Sequence, residues 1–395
     1  MISNQTPATT IRYTIAFSFA ALLAITNVAA QTNRAGQTLA VYLNWSLPAT
    51  DFLSALSMKE KTSATVTVDC TKGESINEAL TKSPTARNLT VEITGMCTEN
   101  VVVTRDHVTL HGTNPANDGI QADFNDEISD VALWVRGAEL VTVENLKLTG
   151  GFSGLLATNT GLTNLHLINC RLENNAAYGM QSENALVQAD DTTFSTNGNI
   201  NAGIFAGSRL QCTNCTLANP QGSGPLGTTR VNAFVFGANR LLLFNSTLTN
   251  GGITSDDSLI LVTDSTITGL PPGANTIFAF GSSAVVLTRV TVNGSMTFNQ
   301  GANGQLLGVT QVTTINNQMD DSAYVRIGDA SPAAGGPPSI PSSLRGFIIR
   351  NFSKVSLLQT SSITGNFNCS QGADVFCTTP ANISGTSNCG QCPKP

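Results

Sequence analysis

The chain has 395 residues, only 12% of them charged, with a net charge of −6 and a pI near 5.1. So sparse and acidic a charge set excludes a nucleic-acid binder working through clustered phosphate contacts, and no nucleic-acid partner is expected. The length fits two average domains or one solenoid whose core grows along a single axis.

In chain order, "IRYTIAFSFAALLAITNVAA" carries one cation, Arg12, then an apolar run ending in small residues. Residues 1–30 therefore read as a signal peptide cleaved before Gln31, and no span capable of crossing a membrane is expected after cleavage. Residues 31–64 show no clean pattern and read as a leader. The expected location is secreted, periplasmic or cell-surface. Such compartments are oxidising, so cysteines can pair. Cys70 and Cys97 flank the first strand patterns, while Cys369, Cys377, Cys389 and Cys392 crowd the last residues. Three disulfides are expected from these six. Between "TVTVDC" and "NLTVEI", the stretch "GESINEALTK" (73–82) reads as a short amphipathic helix covering the open end of a sheet.

An acidic stretch follows. Asp118, Asp123, Asp126, Glu127 and Asp130 fall within 113–130 without a cation among them. Carboxylates and loop carbonyls are the oxygens that Ca²⁺ takes, so calcium is the cofactor this stretch suggests; no motif requires one. No calcium-loop consensus is matched, and a solvated acidic loop is the plainer reading.

The centre of the chain repeats. Aligning "VTVENLKLTG", "LHLINCRLEN", "VQADDTTFST", "LQCTNCTLAN", "LLLFNSTLTN" and "LILVTDSTITG" stacks Asn145, Asn169, Asp191, Asn214, Asn245 and Asp264 in one column. The separations are 24, 22, 23, 31 and 19 residues. Apolar residues stand two and four positions earlier, the period-two mark of a strand with one face buried. Another apolar column stands three positions later, from Leu148 to Ile267, and extends to Val292 and Ile315, where the ladder lapses to Arg289 and Val312. Asn and Asp tolerate the left-handed backbone a sharp bend requires, and stacked amides can bond from coil to coil.

This pattern resembles the right-handed parallel β-helix of the pectate-lyase-like superfamily over about residues 66–365. The expected fold is all-β: one solenoid of about ten coils over residues 65–365, with a loop at 329–343, an N-terminal helical cap and a disulfide-rich tail at 366–395. The resemblance implies a polysaccharide groove along one sheet. It does not imply catalysis, because the superfamily includes non-catalytic members.

Motif tests narrow the chemistry. "FVFG" (234–237) resembles the pectin methylesterase signature, yet the nucleophilic aspartate is replaced by Ala233, and Gly237 falls in a column of turn residues with Gly137 and Gly281. "QADD" (188–191) resembles the paired aspartates of polygalacturonases, but Asp191 belongs to the ladder and the partner elements are missing. Arg136, Glu183, Arg230, Asp256 and Asp257, near the turns flanking the groove sheet, are the remaining catalytic candidates for a lyase, hydrolase or epimerase. With no motif intact, the sequence favours binding over catalysis.

Three surfaces remain. Trp134, Phe234, Phe236, Phe278 and Phe280 precede the turn glycines, with Met180, Phe205 and Ile253 at related positions. Bulky columns ordinarily point inward; facing out, Trp134, Phe236 and Phe280 are the substrate-binding candidates. An outward column beginning at Lys147 and Arg171 continues as threonine from Thr193 to Thr291 and Thr314, which resembles an ice-binding face, although threonine is also simply a good outward strand residue. His107, His111 and His166 lack neighbours at metal-ligand spacing in sequence. Cys170, Cys212 and Cys215 sit on inward columns and are expected to be buried free thiols. The functional expectation is an exported protein that binds or processes an extracellular polysaccharide. The alternative is a non-catalytic surface solenoid adhering to a cell-surface partner.

Overall fold

The computed structural model describes residues 63–123, 130–220, 230–269, 275–312, 316–328, 341–358, 361–377 and 382–389. The expected signal peptide and leader lie outside the described residues, apart from the strand start at Ser63.

Every strand pairing among the described residues is parallel, and each strand pairs with the strand about one coil later. The result is a parallel β-helix of about twelve turns, against the ten expected. Three sheets run along it. Sheet A includes Val131–Arg136, 153–158, 178–183, Ile200–Phe205, Val231–Phe236, Gly252–Asp256, Asn275–Phe280 and Ser295–Phe298. Sheet B follows it in each coil, as in Arg209–Thr213, Arg240–Phe244 and Leu259–Thr263. Sheet C closes the coil with three-residue strands such as Thr216–Ala218, Thr247–Thr249 and Thr266–Thr268.

The ladder column stands at the corner between sheets B and C. Asn145, Asn169, Asp191, Asn214, Asn245 and Asp264 all have φ between 49° and 56°. Asn169 Nδ2 donates to Asn145 Oδ1 at 2.7 Å, Asn214 to Asp191 at 3.0 Å and Asn245 to Asn214 at 2.7 Å. Arg289 keeps the left-handed conformation (φ 52°) and turns its guanidinium onto Asp264, so a side chain of another type continues the stack. The expected continuation at Val312 is four residues late. Gly308 (φ 62°) takes the corner, and Thr310 and Gln311 pair with Thr291 and Val292, because this coil is shorter than its predecessor.

A second amide stack, unforeseen, lines the corner between sheets C and A. Asn175 donates to Asn197 at 2.9 Å, Asn197 to Asn201 at 2.7 Å and Asn201 to Asn232 at 2.7 Å, all four buried. Each amide also donates to a carbonyl left open where the chain turns, for example Asn201 to Ala218 O at 3.0 Å. Buried carbonyls without partners would be costly, so these side chains replace the ladder that the strands interrupt.

Between the sheets lies one continuous apolar core in which Phe194, Leu217, Leu248, Ile267 and Val292 stack in one column and Phe298 is buried from sheet A. Cys170, Cys212 and Cys215 are free and buried in it, and burial pushes the Cys170 thiol up to about 11. At the N-terminal end, helix α1 (Ile76–Thr81) is shorter than the stretch expected; Ser75 caps it and Ile76 and Ala79 enter the core. Cys70–Cys97 and Cys369–Cys389 are disulfides; Cys377 is also disulfide-bonded, and Cys392 lies outside the described residues. The disulfides stand near the C-terminal end, as expected of the tail. Strands Ser361–Cys369 and Asp374–Cys377 pair in parallel with preceding coils, so the solenoid runs past residue 365. The expected loop 329–343 ends earlier too, with Ser342 opening a strand and 329–340 outside the described residues.

Candidate functional site

Sheet A alternates like any strand, but up to Asn275–Phe280 its inward columns are made of small or aliphatic residues, with an inward ring, Phe298, in the next coil. Ala157, Ile204, Val235 and Ala279 point to the core, as do Met180 and Ile253 one column away. The aromatic residues between them therefore face outward, against the usual assignment of bulky columns. Register places Trp134, Leu156, Gln181, Gly203, Phe234, Thr254 and Phe278 in one outward column. Thr158, Glu183, Phe205, Phe236, Asp256 and Phe280 form the next.

These rings touch in sequence up the sheet. Phe152 meets Tyr178 at 5.9 Å, Tyr178 meets Phe205 at 6.3 Å, Phe205 meets Phe234 at 5.9 Å and Phe234 stacks on Phe236 at 6.1 Å. Phe278 and Phe280 pair at 5.5 Å two coils on. Ile200, Val231 and Phe234 form the base of this satellite cluster, separate from the core. Its outermost rings stay open: Phe152 is 50% and Phe236 49% exposed. Aromatic pairs at these separations hold one another's orientation, which presents a row of fixed ring faces.

The polar candidates distribute unevenly around this row. Trp134 donates from Nε1 to Thr158 Oγ1 at 2.7 Å, and the Arg136 guanidinium carbon sits 5.1 Å from its ring centre, so both its polar tip and a ring face are engaged. Glu183 accepts from Gln181 at 3.0 Å. Asp256 stands between Phe236 and Phe280, its direct neighbours across the sheet. Burial first, and then the charge of Asp257, raises its carboxyl above the ordinary range. Asp257, at φ 48°, accepts the Ser282 N–H at 2.6 Å. Gly281 sits at φ 62°, where a side chain is strained, and a Cβ there would come within 2.5–2.6 Å of an oxygen of each aspartate, so that both carboxylates would have to turn away.

The five catalytic candidates do not converge. Arg136 and Glu183 are two strands apart in register, and Glu183 and Asp256 three. At about 4.8 Å per strand the carboxylates stand roughly 14 Å apart, beyond the ~5–9.5 Å that paired glycosidase carboxylates need. Arg230 precedes Val231 at the opposite end of the strand from Phe236, roughly 20 Å away at ~3.3 Å per residue. Only Asp256 and Asp257 come together.

Of the acidic stretch, Asp118, Asp123 and Asp130 are among the described residues. Asp118 is buried and accepts from Gly95 N, Thr113 N, Thr113 Oγ1 and Asn114 N at 2.8–3.0 Å, which occupies both its oxygens. Asp126 and Glu127 lie outside the described residues, and among the described residues no group of three His, Cys, Asp or Glu could hold a metal.

The histidines do acquire carboxylate neighbours, through strand register that sequence spacing hides. On sheet B, His111 lies 3.2 Å from Glu144 and 3.8 Å from Glu92, and His166 Nε2 lies 2.6 Å from Asp190. On sheet C, Thr193, Thr216, Thr247, Thr266, Thr291 and Thr310 align in register.

No family model matches the chain, and no curated protein does. Among solved structures, the enzymatically active domain of tailspike protein 2 of bacteriophage CBA120 superposes with a TM-score of 0.41 at 11% identity, over 73% of this chain and 47% of that one. This chain thus spans about half the tailspike's length. A catalytic domain of a GH87 α-1,3-glucanase complexed with tetrasaccharides gives 0.39 at 12% identity, over 84% and 70%; the Agl-KA catalytic domain gives 0.35 at 12%, over 86% and 70%. The likeness is one of solenoid architecture.

Proposed function

We propose that this is an exported protein that binds an extracellular polysaccharide along the outer face of sheet A. The observation carrying this reading is the row of outward rings from Phe152 to Phe236, continued by Phe278 and Phe280, on strands stacked about 4.8 Å apart. That spacing is close to the length of one sugar in a linear polymer, so successive coils from Phe152 to Phe236 each offer a ring contact, and the next stands two coils on at Phe278 and Phe280. A hydrated sheet has no reason to expose rings in a line, whereas a pyranose face stacks on them. Binding is proposed ahead of processing because Glu183 and Asp256 stand too far apart to act as an acid–base pair and Asp257 is held by Ser282.

The test combines a glycan array with a reducing-end assay on whatever binds. Binding without product is the expected result, and release of reducing ends would convert the reading to a processing enzyme. A second reading, a non-catalytic adhesive solenoid, is favoured by the in-register threonines of sheet C. It gains if array binding, cell adhesion or ice shaping is insensitive to Phe236→Ala and Phe280→Ala but lost when Thr247 and Thr266 are replaced by bulky Tyr.

A further inference from the structure

Resting on the reading of sheet A as a polysaccharide-binding face, we propose that this face takes a neutral linear polysaccharide and excludes polyuronates. The argument is one of charge. From 153–158 through Ser295–Phe298, no described strand of sheet A carries Lys, Arg or His. The ionisable groups on its outward columns there are carboxyls, Glu183 and Asp256, with Asp257 at the adjoining corner. Arg136 stands at the near end and lies over Trp134. Arg230 is at the far edge of the sheet, and Arg209 is drawn onto sheet B by Gln211 at 2.6 Å.

A polyuronate brings one negative charge per sugar. Laid along the rings it would set carboxylates beside Asp256, whose two cross-strand neighbours are Phe236 and Phe280, with no cation on either neighbouring strand of the sheet. Like charges brought this close repel, most strongly at low ionic strength. The hydroxyls of a neutral sugar suit the same surroundings. Ionised carboxylates only accept hydrogen bonds, and Asp256 and Glu183 can take hydroxyl protons at the rim while the rings take the C–H face. An aminated polymer would satisfy the charges too, but charge attraction would then govern binding, whereas the larger part of this surface is aromatic.

The experiment uses soluble neutral glucans and mannans, each compared with its own C6-oxidised derivative, so that backbone and linkage are held constant while charge changes. Affinity electrophoresis or calorimetry at pH 7 and low salt is the readout, with chitosan as the cationic arm. The expected result is that at least one neutral polymer binds and its oxidised form binds at least ~10-fold more weakly. Asp256→Asn, or Glu183→Gln should the first variant lose its melting transition, should narrow that gap, as should 0.5 M salt. Equal or tighter binding of the oxidised polymer overturns the inference while leaving the groove in place. So does salt-sensitive binding of chitosan that exceeds every neutral polymer. Failure of every polymer of any charge overturns instead the reading of sheet A as a groove.

Discussion

The corner between sheets B and C and the outer face of sheet A follow opposite rules. At the corner Asn or Asp recurs with one backbone conformation, and where it changes to Arg289 the stack is kept by another bond. On sheet A the outward residues change from coil to coil, Phe205 and Phe236 excepted, and the coil lengths vary just before it: 31 residues from Asn214 to Asn245, with the extra ones ahead of Val231, but 19 from Asn245 to Asp264. Repetition marks what every coil needs in order to stack. Variation on an otherwise repetitive frame marks what the coils do not need for stacking, and ligand contacts are the natural use for it.

The largest effect should fall on the repetitive side. Phe194 is fully buried in the core, and Phe194→Ala should cost about 3–5 kcal/mol in urea unfolding, as large-to-small core changes do. A loss below ~1 kcal/mol would show the core to be loose enough to collapse around the gap, and the contrast with sheet A would fail.

That contrast also explains what the sequence revealed. The B–C ladder and the strand alternation leading into it were legible because one face is polar and the other apolar. On sheet A both faces are apolar: in "VNAFVF" the inward residues are Ala233 and Val235 and the outward ones Phe234 and Phe236, so hydrophobicity alone cannot tell core from groove. The information lies in the inward run of Ala157, Ala202, Ala233 and Ala279: small residues fill the inner face of these coils, so the rings beside them belong to the outer face. The buried amide stack was missed although its letters stand just past the aligned segments. Asn175 and Asn197 lie six residues after the ladder, but Asn201 and Asn232 enter from the other side of the turn, and a single column could not collect them. The histidine–carboxylate pairs on sheet B needed register between coils, which sequence spacing does not supply.

The two amide stacks should differ in strength according to burial. Asn201→Ala removes the acceptor of Asn197 and the donor to Asn232 and Ala218, leaving buried groups unpaired at about 1–3 kcal/mol each; a loss of at least ~2 kcal/mol is expected. Asn214→Ala removes bonds that water can replace, and adds the strain of alanine at φ 56°, for a total of about 1–2 kcal/mol. Chemical denaturation of both variants tests the order. Equal losses would mean that solvent reaches the inner stack.

Smaller still is the response to acid, which separates the two regions by sign. Burial alone would raise the Asp118 carboxyl, but the Gly95, Thr113 and Asn114 donors hold it below the ordinary value; Asp190 is lowered despite burial by His166 and Gln188. Their stabilisation is present above the unfolded value of ~3.9 and is lost as pH falls through the lower folded value. Asp256 on sheet A is raised, so its contribution favours the fold below ~3.9 and is lost as pH rises through the raised value. Melting curves from about pH 2 to 7 should therefore lose part of their acid limb in Asp118→Asn, while Asp256→Asn should gain slightly toward neutral pH. The same sign for both variants would contradict the assignment of Asp256 to a crowded, partly buried rim.

The smallest stability effect, and the one with the largest functional consequence, belongs to Phe236. Half its ring is in water and its main contact is Phe234, so Phe236→Ala removes one stacked pair, worth about 0.5–1.5 kcal/mol at most, without opening a cavity in the core. The melting temperature should move by no more than a few degrees. If the row of rings binds polysaccharide, losing its most open member should weaken binding by roughly 10-fold or more, the scale on which buried aromatic anchors at interfaces act. Phe280→Ala should do the same two strands away, and the pair together should weaken binding further while the fold persists. A drop of several kcal/mol in stability would mean that Phe236 supports the sheet rather than serving a ligand. Unchanged binding with unchanged stability would leave the ring without a task, and the search for a partner would move to the threonines of sheet C.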